Sequence, residues 1–122
     1  MPADATILTP SAPAIREPGQ RCWPRLRKAI ETMIAPDGRI VAHHEEPWAS
    51  ATFTGSRHQL TLQFSGTAAI MQAEQIIADL PEHEFSVPGY LVADARVVAV
   101  DHDLRTAPQM IVTTELLVLD DG

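Results

Sequence analysis

At 122 residues, 45% of them hydrophobic, the chain is long enough for one modest core and too apolar for wholesale disorder. A formal net charge of −7 and a pI near 5.0 argue against nucleic acid as the main partner, because phosphate binding needs a basic surface. Cys22 is the sole cysteine, which excludes an intramolecular disulfide and a cysteine-based zinc cluster.

The start, M-P-A-D-A-T-I-L-T-P, lacks the basic opening and continuous apolar run of a signal peptide. No stretch approaches the roughly 20 apolar residues of a membrane span, so a cytoplasmic protein without membrane contact is expected. Residues 1–20 hold Pro2, Pro10, Pro13 and Pro18, a density that sustains neither a helix nor a central strand. They predict a flexible arm ahead of a single domain over 21–122. Arg16, Arg21, Arg25, Arg27 and Lys28 form the one basic cluster, which reads as a solvated helix face before it reads as a phosphate contact.

Trp23, Leu26, Ile30, Met33 and Ile34 recur at three- and four-residue spacing and predict a first helix beginning near Cys22. Pro24 belongs in a first turn and so marks its start, and Ala35-Pro36-Asp37-Gly38 is turn chemistry that ends it. Cys22, near the helix start beside Arg21, is better read as a small apolar residue than as a reactive thiolate.

Arg39 to Glu46 reads as a strand that Pro47 interrupts, by a bend or by an edge position. Trp48 to Thr54 continues extended, Thr54-Gly55-Ser56 is a hairpin-turn candidate, and His58, Leu60, Leu62 and Phe64 alternate cleanly along the next strand. Ser65-Gly66-Thr67 offers capping chemistry for a second helix, whose stripe is Ala69, Ile70, Ala73, Ile76, Ile77 and Leu80 and whose stop is Pro81. Two long strands follow. Leu91, Ala93, Ala95, Val97 and Ala99 alternate on one face of the first, and Met110, Val112, Thr114, Leu116 and Val118 on one face of the second. The expected fold is α+β: an antiparallel sheet of four to five strands with two helices on one face, in the order α-β-β(-β)-α-β-β.

Chemistry is harder to place. No G-x-G-x-x-G, G-x-x-x-x-G-K-[ST], H-E-x-x-H, G-x-S-x-G or EF-hand loop occurs, so an enzyme is not the leading expectation and no cofactor is expected. His44-Glu45-Glu46, Glu82-His83-Glu84 and Asp101-His102-Asp103 have metal-ligand composition, yet neighbours on a strand point oppositely, so no metal site is assigned. A bent strand pair carrying Trp48, Ser50, Arg57 and His58 is the candidate small-molecule pocket, with Ser50 and His58 a conceivable nucleophile and base oriented by Asp94 or Asp101. His58, in register with Leu60, Leu62 and Phe64, reads more readily as a core histidine.

The other face of the long strands turns apolar at Val98, Val100, Leu117 and Leu119. Those four residues predict a homodimer interface, and the leading functional reading is a small acidic binding or assembly domain with a protein partner. The alternative is a small enzyme or ligand-binding protein built on the Trp48–His58 stretch. Asp94, Arg96 and Glu115 are expected to make a structural cross-strand charge pair.

Overall fold

The computed structural model describes residues 18–103 and 107–121. Its elements run α1 (Pro18–Ile34), β1 (Gly38–Ala49), β2 (Thr54–Ser65), α2 (Thr67–Asp79), β3 (Tyr90–Asp103) and β4 (Gln109–Asp120). The four strands form one antiparallel sheet in the order β1-β2-β4-β3, an α+β fold as the sequence predicts. Of the arm expected over 1–20, residues 1–17 lie outside the described residues.

Alternation along the central strands builds the core. Leu60, Leu62 and Phe64 of β2 and Met110, Val112, Leu116 and Val118 of β4 are all buried on the face that carries the helices. Leu26, Ile30 and Ile34 of α1 and Ala69, Ile70, Ala73 and Ile76 of α2 close over them. Leu80 and Val87, on the segment leading to β3, join the cluster, as do Cys22 of α1 and Ala95 of β3. Burying a side chain of this size contributes about 1.5–3 kcal/mol, so the two helical stripes are what hold the layers together.

Several local expectations are corrected. Helix α1 begins at Pro18, and Pro24 stands inside it rather than at its start. Pro24 is exposed, where a missing backbone N–H is least harmful. Strand β1 continues through Pro47 to Ala49, because β1 is an edge strand and its outer N–H groups need no ladder partner. The hairpin loop is therefore Ser50–Phe53, not Thr54–Ser56, and no separate strand follows Trp48. Ser50 organises this loop: its Oγ accepts from the Phe53 N–H at 3.1 Å, and its own N–H donates to the Phe53 carbonyl at 2.8 Å.

Gly55 lies within β2 for a different reason from the expected turn. A Cβ there would run into the Val118 carbonyl oxygen, so glycine lets β4 approach closely. Helix α2 starts without a side-chain cap; Gly66, at φ 96, turns the chain and its N–H donates to the Pro108 carbonyl at 2.9 Å.

Strand β3 carries two irregularities, between Val92 and Asp94 and between Val97 and Ala99. Each inserts one residue and shifts the alternation, as bulges do on edge strands. Val92, Ala95 and Val97 consequently pack on the helix side, while Leu91 and Ala99 fall with Asp94 and Arg96 on the other. The single alternating face predicted for Leu91 to Ala99 is thereby broken.

Candidate functional site

The densest polar chemistry lies on the helix side of the β1–β2 hairpin. Glu45 stands directly opposite His58 in the register, and His43, two residues before Glu45 on the same face, is diagonal to it. The Nε2 of His43 lies 2.9 Å from the Nδ1 of His58, and the Nε2 of His58 lies 2.7 Å from the Ser56 hydroxyl. His58 and Ser56 are buried, at 0% and 2% exposure, whereas His43 and Glu45 are half-buried. From α1, Trp23 stacks on His43 with ring centroids 3.4 Å apart and planes 6° from parallel. The helix thus roofs the imidazoles and holds the plane of one of them.

Burial controls the charge of the group. It pushes His58 down to about 4, helped by the neighbouring His43, and it lowers His43 too. Burial raises Glu45, against a smaller opposite pull from His44. With both imidazoles neutral, each ring has one donor and one acceptor nitrogen, so the Ser56–His58–His43 chain can run in either direction. Ser56 has a base beside it but no access to solvent, which argues against a nucleophile. Cys22 is buried as well; desolvation, then Glu45 and Asp120, push its thiol up to about 12, in keeping with an inert apolar role.

Among the described residues, no helix lies on the opposite face of the sheet. Arg96 Nε donates to Glu115 Oε1 at 3.2 Å and Arg57 adds a contact at 3.5 Å, the cross-strand charge pair expected from the sequence. Trp48, Gly55, Leu119 and Leu91 form one row across all four strands on this face. Gly55 contributes no side chain there, and the backbone of Val118 and Leu119 approaches the place a Cβ would take. Leu119 is 8% exposed and Leu91 is 55% exposed.

The residues named from the sequence do not converge. Trp48 and Arg57 lie on the outer face, His58 on the helix face, and Ser50 in the loop. Adjacent residues Arg57 and His58 point oppositely because a strand repeats every two residues. The four residues expected at a dimer interface are likewise split. Antiparallel pairing sets Leu119 opposite Leu91 and Val112 opposite Val100, so Leu117 and Leu119 lie near one end of the β3–β4 hairpin and Val98 and Val100 towards the other. Along the strands the nearest members, Leu117 and Val98, are roughly 12 Å apart and the farthest, Leu119 and Val100, roughly 23 Å. Val98 and Val100 are 43% and 46% exposed, and the bulge at Val97/Ala99 places Val100 on the helix-side alternation.

A chain in the solved virion of a native gene transfer agent particle shares this fold. It aligns with a TM-score of 0.60 and 9% identity, over 80% of this chain and 97% of that chain. No family model and no curated protein matches the sequence. At that identity the likeness concerns the backbone arrangement alone.

A groove of about 550 Å³ lies between α1 and the segment before β3, lined by Arg25, Lys28, Met33, Glu84, Phe85 and Pro88 among others. Arg25 bridges the two walls, its Nη1 donating to the Pro88 carbonyl at 3.0 Å. None of Trp48, Ser50, Arg57 or His58 lines it.

Sequence reasoning missed Trp23, His43, Glu45 and Ser56 as companions of His58. A signal existed: Ser56 is two residues before His58 and therefore shares its face. The misplaced turn hid the rest. A turn centred on Gly55 sets His58 opposite Thr52, whereas the actual loop sets it opposite Glu45.

Proposed function

We propose that this protein is a small structural subunit that acts through protein–protein assembly, joining copies of itself and a protein partner. The observation that carries the reading is the whole-length likeness: 97% of a virion-particle chain is covered by this α-β-β-α-β-β arrangement. The open sheet face supports it. Among the described residues both helices cover one side, and the other carries exposed Leu91 next to Leu119, with Trp48 at the far end of the same row and Val98 exposed further along edge strand β3. Apolar side chains on an open face and an exposed edge are surfaces that association covers.

Native mass spectrometry of the untagged protein at micromolar concentration tests this. Oligomers that dissociate on Leu91→Asp or Val98→Asp are expected. A monomer throughout, with no change in either variant, would overturn the reading.

A second reading rests on the groove at Arg25, Lys28 and Phe85. Its volume suits a small ligand, and Arg25 and Lys28, set against the single carboxylate of Glu84, favour an anionic one. Fragment binding that is lost in Lys28→Ala and accompanied by no self-association would favour it over assembly.

A further inference from the structure

The helix-side cluster carries three potential metal ligands on one hairpin. One ligating atom each from His43, Glu45 and His58 lies within 4.8 Å of the other two. The geometry points to a divalent transition-metal site, zinc by preference, ligated by His43 Nε2, His58 Nδ1 and the Glu45 carboxylate.

The donor set fits the ion. Two imidazoles and one carboxylate suit zinc, and three protein ligands leave a fourth position for water. The two facing ring nitrogens are 2.9 Å apart. Tetrahedral zinc, with Zn–N bonds of about 2.0–2.1 Å, needs them about 3.3 Å apart. A small rotation of His43, the half-exposed ring of the two, supplies that difference.

The surroundings hold the ligands as a metal site requires. Ser56 lies 2.7 Å from His58 Nε2 and can accept its N–H; in that tautomer Nδ1, 2.9 Å from His43 Nε2, carries the free lone pair a metal ligand needs. Trp23, stacked on His43 at 3.4 Å, fixes the plane of the second imidazole. Glu45 is half-buried, accepts no hydrogen bond and joins no ion pair among the described residues, so its carboxylate is available as the anionic ligand. The partial exposure of His43 and Glu45 leaves a way in for the ion and its water. His44, the neighbour in sequence, faces the other way and pairs with Glu46 at 3.4 Å, and so serves as an internal control.

The test uses untagged protein stripped with a chelator and then dialysed. Calorimetric titration with zinc is read beside the visible absorption of cobalt, whose intense bands mark four-coordination. One ion per chain is expected, with Glu45→Gln weakening zinc at least tenfold, His43→Ala more, and His44→Ala leaving it unchanged. Ser56→Ala is expected to weaken binding roughly tenfold through ligand orientation alone. Glu45→Gln keeps size and shape at a half-exposed position, so it remains informative if His43→Ala disturbs the Trp23 stack. No uptake of zinc, or uptake undiminished in Glu45→Gln, or uptake lost in His44→Ala, would overturn the site. These outcomes are independent of the oligomeric state and so of the assembly reading.

Discussion

His43 Nε2 and His58 Nδ1 face each other across 2.9 Å in the roof of the core, so the fold holds two imidazoles where only one proton fits between them. Protonating both rings would place two cations in contact within a desolvated layer under Trp23. That relationship should make the protein lose stability in mild acid.

For metal-free protein the sign follows from linkage. His58 titrates near 4 in the fold and near 6.5 when unfolded, and His43 is lowered in the same direction. Between these values the unfolded chain binds more protons, so stability falls as pH drops from about 6.5 towards about 4. The His58 shift corresponds to about 3 kcal/mol. Glu45 acts oppositely: its raised value favours the protonated folded form, which offsets part of the loss in the carboxylate range. Urea denaturation with chelator at about pH 7 and about pH 5 should show the decrease, and His58→Gln should remove most of it.

Cys22 should be inert while the chain is folded. It is 0% exposed and its thiol is pushed up to about 12, so the thiolate is scarce and unreachable. A thiol reagent should label it in denaturant and leave it untouched in buffer over the same time. Rapid labelling in buffer would mean that α1 detaches from the sheet.

Gly55→Ala should destabilise the fold by about 1–3 kcal/mol, since the new methyl meets the backbone of β4 rather than a side chain that can move. Its neighbour Thr54, whose hydroxyl donates to Asp120 at 2.8 Å on the surface, should tolerate alanine with a much smaller loss. Paired urea melts of the two variants check this.

Phe64→Ala should lower stability by about 3–5 kcal/mol, among the largest single losses in the molecule. Phe64 is fully buried, and its ring lies against the point where α1 hands over to β1, close to Gly38 and Ile34. A substitution there loosens both the sheet and the helix end, and a drop in melting temperature with unchanged sheet signal in mild conditions is the expected result.

Much of the architecture was legible in the residue pattern. The period-2 run from His58 to Phe64, the helical stripe from Ala69 to Leu80 and the alternation from Met110 to Val118 each predict their element, its buried face and its partner layer. Hydrophobic periodicity is a local property, and local properties survive in one dimension. The burial of His58 was legible on the same grounds. The charge pair of Arg96 with Glu115 followed from their placement on facing strands.

What tertiary structure alone decided is which residues meet. One loop at Ser50–Phe53, instead of a turn at Gly55, sets Glu45 and not Thr52 against His58. Two bulges in β3, which leave no mark in composition, move Leu91 to one face and Val100 to the other. Antiparallel pairing carries Val98 and Val100 away from Leu117 and Leu119, although each pair looks alike when read alone. Side-chain alternation assigns faces within a strand, but register between strands depends on turn geometry and close backbone approach, and a shift of one residue exchanges every partner.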